Sequence, residues 1–195
     1  DLVAREIGAA AGTAEVAVVD ALEPSAIEQH LRAIVKKEGG IDISFNAIWI
    51  RGDLQGTPLI DMSWENATLP VVTGVKTHFL TATAAARHML PRRSGVILTL
   101  SSSAAALSGR DRKFHATGGF STACAAIEAL SRSLAGELGA HGIRVVCLRP
   151  DGIPETRGAQ AGEVRHYMES GTVLGRLPSL DEVGHAAAFM ASDRA

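Results

Sequence analysis

Two cysteines, Cys124 and Cys147, stand in a chain of 195 residues. That is too few for a disulfide framework, and it points to a reducing, cytoplasmic setting. No apolar run approaches the roughly 18 residues of a membrane span, and no secretory signal pattern is visible. Charge of either sign is not in excess. The formal net charge is −2, which argues against a broad nucleic-acid footprint or a polybasic membrane surface. The seven histidines at 30, 78, 88, 115, 141, 166 and 185 show no metal-ligand spacing. Ser101-Ser102-Ser103 lies outside any Gly-x-Ser-x-Gly turn, so a hydrolase elbow is not expected. There is no internal repeat, no low-complexity segment and no interdomain linker.

What is present is a soluble globular composition, 46% hydrophobic and 21% charged, long enough for one domain with a sizeable core. Helical and strand patterns alternate along its length. Residues about 2–11 read as a helix, Glu15–Val19 as a short apolar strand, and Pro24–Lys37 as a helix with Pro at its start and Gly39-Gly40 at its stop. Ile41–Ile48 reads as a strand. A long helical stretch follows over about 63–90, with an expected interruption near Pro70. Val96–Leu100 and Ile143–Leu148 are apolar strands on either side of a helix from about Phe120 to Leu138, and Ala159–Ser170 and Leu180–Ser192 read as helices. Such alternation implies a parallel sheet with helices on both faces. The chain begins inside a helical pattern at Asp1 and stops just after an apolar helix, so both ends read as cut.

The stretch Gly118-Gly119-Phe120-Ser121-Thr122-Ala123-Cys124-Ala125-Ala126-Ile127 continues to Leu134-Ala135 and Glu137-Leu138. Gly142-Ile143-Arg144-Val145-Val146-Cys147-Leu148-Arg149-Pro150 follows it. Together they resemble the catalytic helix and next strand of the short-chain dehydrogenase/reductase family. Further matches run in order: Val19-Asp20, Asn46-Ala47, the helix from Phe79 to Met89, Gly95 to Ser102, Arg149 to Thr156, and Gly175-Arg176-Leu177 with Glu182-Val183 and Phe189 to Asp193.

The resemblance implies a Rossmann-like, doubly wound α/β fold with sheet order 3-2-1-4-5-6-7, in which the visible strands are the third to the sixth. It further implies an absent N-terminal βαβ unit of about 40 residues and an absent last strand. It implies an oxidoreductase using NAD or NADP on a small carbonyl or alcohol substrate, with Ser102 as the catalytic serine. Asp20, Asn46, Ala47, Pro150, Gly152, Ile153 and Thr156 fall at the family's cofactor-binding positions. It also implies a homodimer or homotetramer built on the helices about 71–90 and 120–138, whose small residues (Ala82, Ala85, Ala86; Ala123, Ala126, Gly136) allow close packing. No metal is implied.

The chain departs from the family where chemistry is expected. The family keeps Tyr and Lys at the positions held here by Phe120 and Cys124, and Asn at the position of Gly74. Phe can neither donate nor accept a proton, and Cys brings no fixed positive charge. Ser102 lies 18 residues before Phe120 (120 − 102), a wider spacing than the family's, and the extra residues fall near Arg110-Asp111-Arg112-Lys113. Three readings follow. In the first, the enzyme has lapsed and is kept for nucleotide binding or oligomer contacts. In the second, the acid is relocated, to His115 or the Arg110–Lys113 loop. In the third, Cys124 is a reactive thiol near a helix N-terminus.

Overall fold

The computed structural model describes residues 2–106, 116–156 and 162–195. Its elements run α1 (Leu2–Ala9), α2 (Pro24–Glu38), β1 (Ile43–Asn46), α3 (Trp64–Met89), β2 (Gly95–Leu100), α4 (Gly119–Leu138), β3 (Ile143–Leu148), α5 (Gly162–Ser170) and α6 (Leu180–Ala191). The three strands form one all-parallel sheet in chain order, with Ile43 opposite Val96 and Gly95 opposite Ile143.

Strand β2 is central, and its side chains alternate between two buried environments. Ile97 faces a core made with Ala82, Ala85, Ala86 and Met89 of α3, Leu134 and Leu138 of α4, and Leu31, Ile34 and Val35 of α2. Val96 and Leu98 face the other way, onto Ala187, Met190 and Ala191 of α6. The sheet is therefore wound with helices on both faces, and the unbroken apolar run of β2 is what two-sided burial requires. Thr99 is the polar exception. It hydrogen bonds to Ser131 of α4 (2.7 Å), whose own hydroxyl donates to the Ile127 carbonyl (2.7 Å), so the buried hydroxyls satisfy each other. Arg144 ties α6 back to the sheet by donating to the carbonyls of Met190 (2.9 Å) and Ser192 (2.7 Å).

Three sequence expectations are corrected. Glu15–Val19 forms no strand: no described strand lies alongside to take its backbone hydrogen bonds, and Val18 is fully exposed. Helix α3 is not interrupted at Pro70 but runs through it. The buried proline ring packs against the first turn of α4, where a Cβ on Gly119 would collide with the Ala67 carbonyl. Packing of two helices this close outweighs the one hydrogen bond that Pro70 removes. Finally, Ala82, Ala85, Ala86 and Ala123 are buried in the chain's own core. Their small size seats α3 and α4 on the sheet and on each other, leaving them unavailable to a second copy.

Candidate functional site

The pairing of β2 with β3 continues past the strand ends. Ser101 N–H donates to the Leu148 carbonyl and Ser103 N–H to the Pro150 carbonyl, both at 2.9 Å. Ser101–Ser103 and Arg149–Asp151 therefore lie side by side at the carboxyl edge of the sheet, where α/β folds place their ligands. Asp151 fixes this junction: one carboxylate oxygen accepts from Ser103 Oγ (2.8 Å) and from Gly152 N–H (2.7 Å). The loop then turns through Pro154–Thr156, where the Thr156 hydroxyl donates to the Ile153 carbonyl (2.8 Å). Ser102 is half-buried, and its Oγ accepts from Ala104 N–H (3.3 Å).

Asn46 ends β1 on the neighbouring strand. It is buried, and its amide donates to the Leu98 carbonyl (3.1 Å), stitching β1 to β2. Ala47 is exposed beside it. The structure thus gathers Ser102, Asn46, Ala47, Pro150, Gly152 and Ile153 on one edge, with Thr156 exposed at its rim. Asp20 is exposed on the approach to α2, where its carboxylate accepts from Leu22 N–H (2.9 Å).

The start of α4 is different in character. Cys124 and Ala123 are fully buried, and with Ile50 and Ile127 they form an apolar cluster joined by Val71, Ala105 and Phe120. Gly74 of α3 borders this cluster, and a Cβ there would make ordinary van der Waals contact with Ile50 (3.6 Å) and Ile127 (3.7 Å). Burial pushes the Cys124 thiol up to about 11, against the weaker opposing effect of the Ser101 hydroxyl. A buried thiol held protonated is not a nucleophile, so the reactive-thiol reading is overturned. The alternative acid, His115 or the Arg110–Lys113 loop, lies outside the described residues.

Two polar residues escaped the sequence reading. Glu128, one helical turn past Cys124, accepts from Ser101 Oγ (2.9 Å) and sits 3.7 Å from Arg149. The four-residue step from Cys124 was the available signal. His78 is fully buried on α3, on the same face as Ala82, Ala85 and Met89. That spacing from an apolar stripe was the signal there. Among the described residues, no group of three or more His, Cys, Asp or Glu side chains is placed to hold a metal ion, and no helix is long and apolar enough to cross a membrane.

The family model described as enoyl-(acyl carrier protein) reductase matches residues 2–195. The chain belongs to the short-chain dehydrogenase/reductase family. It is 29% identical over 185 residues to (+)-borneol dehydrogenase 1 of Salvia officinalis, covering 90% of this chain and 67% of that one. It is 32% identical over 186 residues to secoisolariciresinol dehydrogenase of Forsythia intermedia, covering 90% of this chain and 64% of that one. A short-chain type dehydrogenase/reductase from Mycobacterium marinum superposes with a TM-score of 0.85 at 28% identity, covering 98% of this chain and 73% of that one. An NAD+-bound xylitol dehydrogenase shares the fold, with a TM-score of 0.84 at 20% identity, covering 97% of this chain and 77% of that one. The chain thus spans about two thirds of the length of these curated relatives.

Proposed function

We propose that this short-chain dehydrogenase/reductase chain keeps the family's nicotinamide-nucleotide edge but has lost its proton donor, and so binds NAD or NADP without reducing a carbonyl. The observation that carries this reading is the buried apolar cluster of Ile50, Ala123, Cys124 and Ile127 at the position of the family's base, with half-buried Phe120 packed against it at the position of the acid. A nicotinamide cofactor supplies hydride, and reduction of a carbonyl also needs a proton delivered beside it. Phe120 and Cys124 supply neither the acid nor the cation that tunes it.

The edge residues fit a nucleotide better than the cluster fits catalysis. Ala47 and Thr156 are open to a ligand and Ser102 is partly so. The one acidic newcomer, Asp151, is turned onto Ser103 and Gly152, so its charge is satisfied within the loop. The residues that would hold the nucleotide are Asn46, Ala47, Pro150, Gly152, Ile153 and Thr156, with Asp20 toward its adenine end. Association as a homodimer or homotetramer is part of the same reading. With the alanine face buried, the contact falls to the exposed side of α3, where Val72 and Phe79 lie two turns apart.

The deciding experiment is a fluorescence titration of the purified protein with NADH and with NADPH, paired with a turnover assay on a panel of ketones and aldehydes. Saturable enhancement without turnover is the expected result. Steady carbonyl reduction would overturn the lapsed reading and direct attention to a relocated acid. Absence of binding by a folded sample would overturn the nucleotide reading. Light scattering that returns a strictly monomeric mass would overturn the oligomer.

A further inference from the structure

His78 sits where α3 crosses the carboxyl end of β1, and among the described residues it is the only fully buried histidine. Its side chain is fully buried. Nδ1 lies 2.8 Å from the Gly74 carbonyl, one turn back on the same helix. A carbonyl can only accept, so Nδ1 carries the hydrogen in the neutral ring and Nε2 is left as an acceptor. Nε2 is buried and has no hydrogen-bond partner. The Asn46 backbone carbonyl favours the charged ring but completes no hydrogen bond to Nε2.

Among the described residues, no carboxylate is buried beside the ring. The other buried polar side chains among the described residues are Asn46 on β1, Thr77 on α3, Thr99 and Ser101 at β2 and Ser131 on α4, all neutral. The Cys124 thiol on α4 is held protonated. Glu128 on α4 is engaged with Ser101 and Arg149. Lys76 and Arg87 of α3 are on its exposed side. From α2, Glu28 pairs with Arg32 and approaches His88 at the far end of α3. Burial therefore dominates and holds the imidazole below its ordinary range, with the Gly74 and Asn46 carbonyls opposing it more weakly.

We propose that His78 is an acid-sensitive switch in the α3–β1 junction: neutral, it completes the packing behind Asn46 and Ala47, and protonated, it draws in water and loosens that end of β1. An unfolded histidine titrates near 6.5. The folded ring titrates lower, so as pH falls the unfolded chain takes the proton first. Stability that is fully present above that range is lost below it. This inference stands on the packing of the fold and is independent of whether a nucleotide binds.

The test is equilibrium urea unfolding of the protein and of His78→Gln at pH 7 and at pH 5. The expected result is that the folding equilibrium constant of the native chain falls by about twofold or more beyond that of the variant over this interval. An equal fall in both would overturn the proposal. Should the variant not fold, hydrogen–deuterium exchange at the imidazole C2 position of the native chain decides it. Slow exchange with a midpoint below about 6.5 is expected at His78, and exchange as fast as at the exposed His141 or His185, or a midpoint at or above about 6.5, would overturn it.

Discussion

Two neighbouring regions at the carboxyl end of the sheet differ in kind. The seam between β2 and β3 is polar and fully wired: Ser101, Ser103 and the Pro150 carbonyl extend the strand pairing, and Asp151 closes it. The slot between α3 and α4 is apolar, and Ile50 packs there with Ala123, Cys124 and Ile127. The first region is held by backbone hydrogen bonds that any sequence can make, so it persists while side chains change. The second depends on its side chains, and Gly74, Phe120 and Cys124, at the family's positions for Asn, Tyr and Lys, bring neither an acid nor a fixed cation to it. The polar seam and the apolar slot thus rest on different forces, and substitutions on the two sides should behave differently.

The largest effect is expected on the apolar side. Cys124→Lys restores the family's residue but places an ammonium at a fully buried position among Ile50, Ala123 and Ile127. An uncompensated buried charge of this kind costs about 3 kcal/mol or more. Urea unfolding at pH 7 should show that loss. The folded lysine titrates below its unfolded value near 10.4, so the penalty should shrink as pH rises toward about 10. A loss under about 1 kcal/mol would mean that the slot admits water or that Glu128 swings in to pair, and the contrast between the two regions would fail.

Much of the frame was legible in the sequence because it is written in local patterns. The apolar run of Val96–Leu100 announced a strand covered on both faces, and Gly39 stopped α2 as expected, in the left-handed conformation that favours glycine. The substitutions at Phe120 and Cys124 were visible as departures from a family pattern. What stayed hidden depends on distant partners. Val16 to Val19 has the composition of a strand, but a strand exists only beside another. Pro70 reads locally as a break, and only its packing on the first turn of α4 keeps the helix whole. Alanines at 82, 85 and 86 suit an interface or a core equally well, and which one they serve is settled by the sheet beneath them. Nothing near Ile50 in the sequence says that its side chain ends beside Cys124.

A smaller effect is expected on the polar side. Asp151→Ala removes the acceptor shared by Ser103 Oγ and Gly152 N–H and should cost about 1–2 kcal/mol, since two donors in a half-buried loop lose their partner. Asp151→Asn keeps an acceptor oxygen and should recover most of that stability. Thermal unfolding of the pair distinguishes a hydrogen-bonding role from a role for the charge. Equal losses in the two variants would show that the carboxylate charge holds the seam, and the claim that backbone geometry dominates there would need revision.

The smallest effect, and the one that sharpens the comparison most, belongs to Phe120→Tyr. Phe120 is only half-buried at the edge of the cluster, with its ring facing Gly52. A hydroxyl can therefore reach solvent from this position, and stability should change by less than about 0.5 kcal/mol. The change returns the family's proton donor without the neighbouring cation that lowers its pKa, so the tyrosine stays near its ordinary value of about 10 and donates poorly at neutral pH. Unchanged stability together with no measurable carbonyl reduction is the expected outcome. Substantial turnover from this single substitution would show that the polar edge alone positions substrate and cofactor, and that the apolar slot withholds one hydroxyl group and nothing more.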